Sequence, residues 1–200
     1  NSVNPSIGFT FTQWGDQLLF VSYSSSFETP TLNELSANPS GAAGFNPDLS
    51  PSRAYNLEGG WRFIQPENTF EATLYVINTK DEILPYELKD FPDRDFYQNA
   101  GNTRRMGIEL FWEHQKGPWE WTVAYHYASI KFDDYVLKDK NLSGNFLPGI
   151  PQQQINTSVQ FDFSQGWGSA LQTQYTGSLY ADDANQTQVA DYFLANLRIW

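Results

Sequence analysis

The stretch NAGNTRRMGIEL, residues 99–110, decides the fold, because a two-residue alternation follows its two arginines. Gly107 and Glu109 fall on one parity, and three apolar residues fall on the other: Met106, Ile108 and Leu110. Successive side chains of a β-strand point to opposite faces of its sheet. Such a strand fits a soluble sheet above a hydrophobic core. It also fits a membrane-barrel wall, with lipid on one side and a wet lumen on the other.

The composition of the chain excludes several function classes. The 200 residues hold 12 Lys plus Arg against 23 Asp plus Glu, a net charge of −11. This charge argues against nucleic-acid binding, which requires neutralisation of phosphates. With no cysteine there can be no disulfide, thiolate metal site or cysteine nucleophile. No apolar run reaches the roughly 18 residues that suggest a membrane helix, but a barrel strand needs an apolar residue only at every second position.

Alternation recurs along the chain and predicts an all-β structure of about nine antiparallel strands. The predicted strands cover 7–14, 17–25, 53–63, 69–79, 99–114, 121–128, 154–163, 171–176 and 189–200. Short turns at 15–16, 65–68, 116–119 and 164–167 alternate with long polar segments at 26–52, 80–98, 133–153 and 181–188. This is an up-and-down meander with tight turns at one end and large loops at the other, as in outer-membrane barrels.

Strand length and aromatic placement favour the membrane barrel over the soluble sandwich. Several predicted strands have about ten residues, near the ~9–11 that cross a bilayer at a tilt and above the soluble mode of ~5–6. Tryptophan and tyrosine near strand ends suit interfacial girdles: Trp14, Tyr23, Trp61, Trp112, Trp119, Trp167 and Tyr180. The chain is therefore expected to lie in a bacterial outer membrane, in contact with the lipid bilayer.

Five segments resemble, in order, the C-terminal part of the barrel of TonB-dependent outer-membrane receptors. They are FETPTLNEL (27–35), LSPSRAYNLEGGWR (49–62), YQNAGNTRRMGIEL (97–110), LPGIP (147–151) and YFLANLRIW (192–200). The resemblance implies a 22-stranded transmembrane barrel closed by a plug domain, of which residues 1–200 would be a partial barrel domain. On this expectation the plug and the final strands lie outside the chain, and the TonB complex acts through the absent N-terminal part.

The resemblance also implies a function in import. A receptor of this family binds a scarce small-molecule ligand. Because metal chelates are the most frequent ligands in the family, a ferric siderophore or similar metal chelate is the expected ligand. Segments 27–35, 99–110, 147–151 and 180–185 look most like receptors for the redox cofactor pyrroloquinoline quinone, which is the alternative ligand. No resident cofactor is expected.

Two sets of residues are the candidate functional positions. Aromatic and basic residues in or beside the long loops could stack on or pair with a flat anionic ligand: Phe45, Arg53, Tyr86, Lys89, Arg94, Phe96, Tyr97, Tyr135 and Lys138. The alternative for each is ordinary loop packing. Polar residues that alternate with apolar ones are expected to face the lumen: Glu58, Arg62, Arg105, Glu109 and Asp162.

Other polar residues have weaker patterns. His114 and His126 lie on different strands without metal-ligand spacing, and Asp182, Asp183 and Asn185 lack the spacing of a calcium loop. These aspartates, together with Asp133 and Asp134, are expected to be solvated loop charge.

Two functions of other classes remain open on pattern alone. A soluble secreted all-β binding module could use surface aromatics, for example toward carbohydrate. An outer-membrane barrel enzyme would need a catalytic pairing, and no nucleophile, zinc or phosphate-loop motif is present.

Overall fold

The computed structural model describes residues 3–40, 44–88, 90–99, 101–137, 139–163 and 166–200. Its elements in chain order are β1 (Ser6–Trp14), β2 (Gln17–Glu28), α1 (Leu32–Ser36), β3 (Ser52–Gln65), β4 (Asn68–Lys80), β5 (Ile83–Leu88), β6 (Phe91–Asn99), β7 (Asn102–Lys116), β8 (Trp119–Asp134), β9 (Val136–Leu137), β10 (Lys140–Asn141), β11 (Gln153–Asp162), β12 (Gly168–Thr176), β13 (Leu179–Tyr180), β14 (Gln188–Val189) and β15 (Tyr192–Ile199). Among these described residues, no helix is long and apolar enough to cross a membrane.

Nine long strands form one antiparallel sheet in the order β1-β2-β3-β4-β7-β8-β11-β12-β15. Each strand pairs with its predecessor in the meander, and the nine strands do not close into a barrel. Tight turns join the strands at one end, where Gly117 adopts a φ of +57° that favours glycine. The all-β, up-and-down prediction is confirmed by this sheet.

Strand boundaries differ from the predicted ones at the long-loop end. β2 continues to Glu28 and β8 to Asp134, whereas the last wall strand starts at Tyr192 rather than at residue 189. The strands continue because backbone pairing with their neighbours persists beyond the clear alternation, as in Glu28 opposite Ser52. Gln188 and Val189 instead pair with Tyr180 and Leu179 in a two-stranded ladder within the last long loop.

All four long segments contain regular structure that the sequence analysis did not predict, and the first two contain the longest pieces. The predicted polar segment 80–98 is a hairpin, β5–β6, in which Tyr86 lies opposite Phe96. Pro85 and the many acidic residues hide its alternation. The segment 26–52 contains α1, which begins with a capping box between Thr31 and Glu34. That T-x-x-E spacing was readable in the sequence.

The two faces of the sheet differ in chemistry. Residues directly opposite each other across a strand pair share a face, so the registers assign each side chain to one face. The apolar face carries Ile7, Phe9, Val21, Leu57, Leu74, Val76, Met106, Ile108, Leu171, Leu197 and Ile199, many of them exposed. The polar face carries Ser22, Asn56, Glu71, Thr73, His126, Asn156, Gln172 and Asn196. Exposed apolar side chains on one face and polar side chains on the other are the pattern of a membrane-barrel wall.

Aromatic side chains crowd the apolar face at its short-turn end. Trp119 packs against Phe161 with ring centroids 4.5 Å apart, and Trp61 packs against Phe70 at 5.3 Å. Trp112 and Trp121 lie on the same face and at the same end. This belt matches the predicted interfacial girdle for Trp61, Trp112 and Trp119, whereas Tyr180 lies in a loop ladder at the opposite end.

Candidate ligand-capture site

The five predicted lumen residues lie on the polar face of the sheet. Glu109 is opposite Thr73 and His126, and the registers place Glu58, Arg62, Arg105 and Asp162 on the same side. Their functional roles stay predictions, but their side chains can meet only what lies on that side. The prediction that Met106, Ile108 and Leu110 share the other face agrees with the same registers.

Several of these side chains have partners within the wall. Arg62 Nε lies 2.9 Å from Glu71 Oε1, and the Ser22 hydroxyl donates to Glu58 at 2.8 Å. Gln160 donates to Asp162 at 3.2 Å. Arg105 donates to Thr79 at 2.8 Å and forms an ion pair with Glu82, to which Thr103 also donates. The Glu82–Arg105 pair therefore attaches the root of the β5–β6 hairpin to the polar face.

Tyr75 crosses a neighbouring strand on the same face. It lies opposite Gly107, and its hydroxyl is 2.9 Å from His126 Nε2 on the strand beyond. A Cβ at Gly107 would come within 2.6 Å of the Tyr75 hydroxyl, so the contact needs glycine at this position. The glycine of the alternating stretch is thus explained by an aromatic ring lying over it, as is seen elsewhere in sheets.

The four long loops are joined by a chain of hydrogen bonds at the other end of the wall. The first and second loops are linked where Asn46 Nδ2 donates to Tyr97 O at 3.3 Å and Asn99 Nδ2 donates to Ser50 O at 2.8 Å. The second and third are linked by Gln98 and the Tyr135 hydroxyl at 3.4 Å. The third and fourth are linked where Asn145 Nδ2 donates to the Asp183 carbonyl at 2.9 Å and Asn185 pairs with the Phe146 backbone.

A small apolar cluster lies inside this loop assembly. Phe132, Tyr135, Leu142 and Leu147 are buried, and Leu84 of the hairpin packs on them. Burial and the nearby Asp183 raise the pKa of Tyr135 to about 12. Burial also raises the pKa of Asp183, which accepts from the Tyr135 hydroxyl at 3.3 Å.

Some predicted loop charges are not solvated as expected. Asp183 is partly buried beneath the loops, whereas Asp133 is exposed, as predicted, and forms an ion pair with Arg104 at 3.0 Å. Asp182 accepts from the backbone of Gln186 and Thr187, and these hydrogen bonds lower its pKa. Asn185 is in the left-handed region, at a φ of 55°. These residues therefore build the turn, and no group of metal-binding residues occurs in the described parts of the chain.

The candidate ligand residues separate into different environments. Phe96 and Tyr135 are buried and pack within the loops, while Phe45 is exposed. Arg94 lies over the Phe96 ring at 4.9 Å, in a cation–π contact on the hairpin surface. Arg53 lies on the apolar face of the wall, away from the other candidates, with its guanidinium 5.3 Å from the Phe27 ring. Lys89 and Lys138 fall outside the described residues.

Tyr86 and Tyr97 come together around one small pocket between the first two long loops. This pocket, of about 310 Å³, is also lined by Asn46, Asp48 and Gln98. Burial and the Asp48 carboxylate raise the pKa of Tyr86. The structure therefore brings together two of the nine candidates in a pocket where aromatic faces and polar groups are close.

A larger recess was missed by the sequence reasoning. It has a volume of about 500 Å³ and lies on the polar face beneath α1 and the root of β5, lined by Ser24, Ser26, Glu28, Glu34, Ser52, Asn56, Glu82 and Arg105, among others. Asn56 has a buried Oδ1 with no hydrogen-bond partner in the structure. Of this lining, the sequence reasoning named only Arg105, as a lumen residue. The sequence did contain one sign of this recess: every second residue of β2 from Ser22 to Ser26 is a serine, so that Ser22, Ser24 and Ser26 lie on one face.

The fold and these sites define the class of the protein. The long strands form a meander that is apolar on one face, with short turns at one end and interlocked loops at the other. This is the wall of a bacterial outer-membrane barrel. The chain belongs to the TonB dependent receptor-like, beta-barrel family, whose model matches residues 1–199. It thereby belongs to a family of receptors and transporters rather than of enzymes.

Solved structures share this wall at low sequence identity. The copper transporter OprC is 17% identical with a TM-score of 0.77, over 96% of this chain and 30% of that one. The ferric yersiniabactin uptake receptor FyuA from Yersinia pestis is 21% identical with a TM-score of 0.71, over 98% and 29%. The siderophore receptor PirA from Acinetobacter baumannii is 16% identical with a TM-score of 0.74, over 98% and 34%. The chain thus spans about a third of the length of these relatives.

Proposed function

We propose that this chain forms the ligand-capturing part of an outer-membrane receptor that imports a scarce metal chelate, such as a ferric siderophore, with energy supplied through TonB. One observation carries the proposal: four interlocked loops lie at one end of the sheet, and the first two of them border a polar recess of about 500 Å³. A recess of this size suits a small-molecule ligand. The described residues supply contacts and shape, and no covalent step on the ligand is needed.

Charge narrows the class of chelate. Residues 81–99, DEILPYELKDFPDRDFYQN, hold six acidic and two basic side chains. Arg105 is already paired with Glu82, and Arg94 lies over an aromatic ring. A trianionic chelate would be repelled by like charge here, whereas a cationic chelate would be attracted and a neutral chelate would not be repelled. We therefore favour hydroxamate-type chelates over catecholate trianions.

The test is uptake by whole cells. A strain without its own copy of the receptor gene would be complemented with the full-length receptor and starved of iron. Uptake of radioactive iron as a ferric trihydroxamate should then depend on both the receptor and TonB. The same strain given pyrroloquinoline quinone tests the alternative ligand, for which the segment resemblances speak. Absence of receptor-dependent uptake of any iron chelate would overturn the proposal for iron.

A further inference from the structure

The polar face of the wall is divided into a charged half and an uncharged half. Strands β11, β12 and β15 carry charge on this face only at the short-turn end, at Asp162 and Arg198. The boundary follows β8, where His126 lies opposite Glu109 on one side and Gln154 on the other. On the other side of that boundary, β3, β4 and β7 carry six charged side chains: Glu58, Arg62, Glu71, Arg105, Glu109 and Glu113.

Amide side chains occupy much of the uncharged half. We call this surface the amide sector, and its amides are Gln154, Asn156, Gln172, Gln174 and Asn196. The registers place Asn156 opposite Gln174, and they place Gln172 directly opposite Asn196. Neighbouring strands are about 4.8 Å apart, and residues that share a face are about 6.6 Å apart along a strand. A small ligand can therefore contact several of these amides at once.

Most of these amides are free to bind a ligand. Asn156, Gln172 and Asn196 are exposed, and none of the three has a side-chain hydrogen bond with any residue that the structure describes. Gln174 donates to the Thr176 hydroxyl at 3.2 Å. A shallow recess of about 260 Å³ is lined by all four of these amides. The amide sector is therefore a concave polar surface without charge.

The charged half offers a ligand a different surface. Arg62 is paired with Glu71 there, and Arg105 is paired with Glu82. Glu109 carries a carboxylate that has no ion pair among the described residues, and it lies near the Tyr75 hydroxyl. A chelate with a free amine would be held by such a carboxylate, and an anionic chelate would be repelled. Neither effect favours steady movement past this half of the wall.

The chemistry of an amide suits movement of a polar, uncharged ligand. Each asparagine or glutamine side chain has two donor hydrogens and an acceptor oxygen, so it can bind either kind of group on a ligand. The net free energy of each such hydrogen bond is small, because it replaces a hydrogen bond with water. A path through a membrane protein requires binding that is repeated but weak enough for release. A ferric trihydroxamate, which is neutral at its metal centre and has oxygens and amide groups on its surface, matches a row of amides.

We infer that, after capture, the chelate crosses the lumen along the amide sector. It moves from the level of Gln154, nearer the long loops, past Asn156 to the level of Gln172 and Asn196, nearer the short turns. At each level its outer oxygens and N–H groups exchange water for amide side chains. This inference rests on the proposed function and adds to it the side of the wall along which the ligand travels.

The experiment separates capture from transit in cells that carry the full-length receptor. Binding of a radioactive ferric trihydroxamate is measured in cells without TonB, and its rate of uptake is measured in cells with TonB. The double variant N156A/Q172A should keep the binding affinity within about twofold and lower the uptake rate about fivefold, the scale of two modest hydrogen bonds. Gln172→Trp should lower the uptake rate further, because the indole ring fills the recess.

Thr69→Trp is the matched control for Gln172→Trp. One row across the sheet joins these two positions, so both substitutions lie at the same height on the polar face; the row is Gln172, Ser158, Thr122, Glu113 and Thr69. Both variants should keep the fast-migrating gel band of a folded barrel, and Thr69→Trp should leave the uptake rate nearly unchanged.

The outcomes distinguish the route from the function. Equal slowing by Thr69→Trp and Gln172→Trp, or an unchanged uptake rate in N156A/Q172A, would overturn the route while the proposed function stands. Absence of TonB-dependent uptake by the unmodified receptor would overturn the proposed function and, with it, the route.

Discussion

Tyr75 reaches over Gly107 to place its hydroxyl 2.9 Å from Nε2 of His126, so that one side chain connects three adjacent strands on the polar face. The two rings are nearly parallel, with an interplanar angle of 7°. Because Glu109 lies opposite His126, a carboxylate is also near this contact. The connection depends on the missing side chain of Gly107, and it explains why an alternating strand has glycine at its centre.

Replacing Gly107 with alanine should destabilise the wall. A Cβ there would come within 2.5 Å of the Tyr127 carbonyl oxygen and 2.6 Å of the Tyr75 hydroxyl, so the ring and the backbone must shift. We expect a loss of about 1–3 kcal/mol. The measurement is the temperature at which the full-length receptor loses its fast-migrating band on an SDS gel.

Gly59→Ala is the matched control for Gly107→Ala. A Cβ at Gly59 would make ordinary contacts, 3.4 Å from the Phe20 carbonyl oxygen and 3.9 Å from Val21. It should leave the melting temperature nearly unchanged. If the two variants have the same melting temperature, the overlap with Tyr75 is not the reason why position 107 requires glycine.

Breaking the Arg105–Glu82 ion pair should release the root of the β5–β6 hairpin while the barrel stays folded. Arg105→Gln leaves the carboxylate of Glu82 with Thr103 as its partner in a site where both side chains of the pair are largely buried. We expect the hairpin to be destabilised by about 2 kcal/mol, since an uncompensated buried charge is costly. Limited proteolysis of residues 81–99 measures this release, beside the band shift that reports the barrel.

The double variant R105Q/E82Q checks the cause. It removes both charges, so it should recover much of the protease resistance that Arg105→Gln loses. Continued cleavage of the double variant at the rate of the single variant would mean that hydrogen bonding to Thr79, rather than charge pairing, holds the hairpin root.

The loop assembly should open at alkaline pH. Because burial raises the pKa of Tyr135 to about 12, above its ordinary value of 10.0, the protonated phenol favours the folded loops. That contribution is complete below pH 10 and is lost as pH rises toward about 12. The protection of the backbone amides of residues 139–147 against hydrogen exchange, taken relative to the base-catalysed intrinsic rate at each pH, should therefore fall over this window.

The variant Tyr135→Phe tests whether ionisation of the Tyr135 phenol causes this opening. The phenylalanine keeps the packing against Phe132, where the tyrosine ring centroid lies 4.5 Å away, and loses only hydroxyl hydrogen bonds. We expect roughly 1 kcal/mol lower loop stability at neutral pH and a flatter alkaline profile. An equally steep alkaline profile in this variant would assign the opening to other tyrosines.

The acidic outer loops should discriminate ligands by charge. A ferric trihydroxamate with a free amine should bind the full-length receptor more tightly than its N-acetylated form, which differs by one positive charge. Glu28→Gln, at the polar recess, should reduce this preference a few-fold, since one carboxylate attracts the amine less once neutral. Glu67→Gln, at the short-turn end, is the control. Tighter binding of the acetylated chelate would contradict the charge argument.

The wall was predictable from sequence because its two faces meet different surroundings at every second residue. Met106 and Glu109 needed no knowledge of their partners to be assigned to opposite faces. The loops have no such periodic constraint. The burial of Tyr135 and Asp183 depends on a contact between residues 48 positions apart, and the hairpin around Tyr86 depends on cross-strand pairs that Pro85 disguises. Arg53 was grouped with the residues beside the long loops because it begins its predicted strand, although the alternation of that strand places it on the apolar face with Tyr55 and Leu57.

The four loops are held to one another largely through asparagine side chains and main-chain atoms. Asn46, Asn99, Asn145 and Asn185 each bond to a carbonyl or amide of another loop's backbone, which every residue type supplies. Four amide side chains therefore preserve two of the three links between the loops, and Gln98 with Tyr135 supplies the third, while most neighbouring positions are free to change. A receptor built in this way can acquire a new ligand specificity by substitutions at the loop surface, because the contacts that hold its outer loops together need not change.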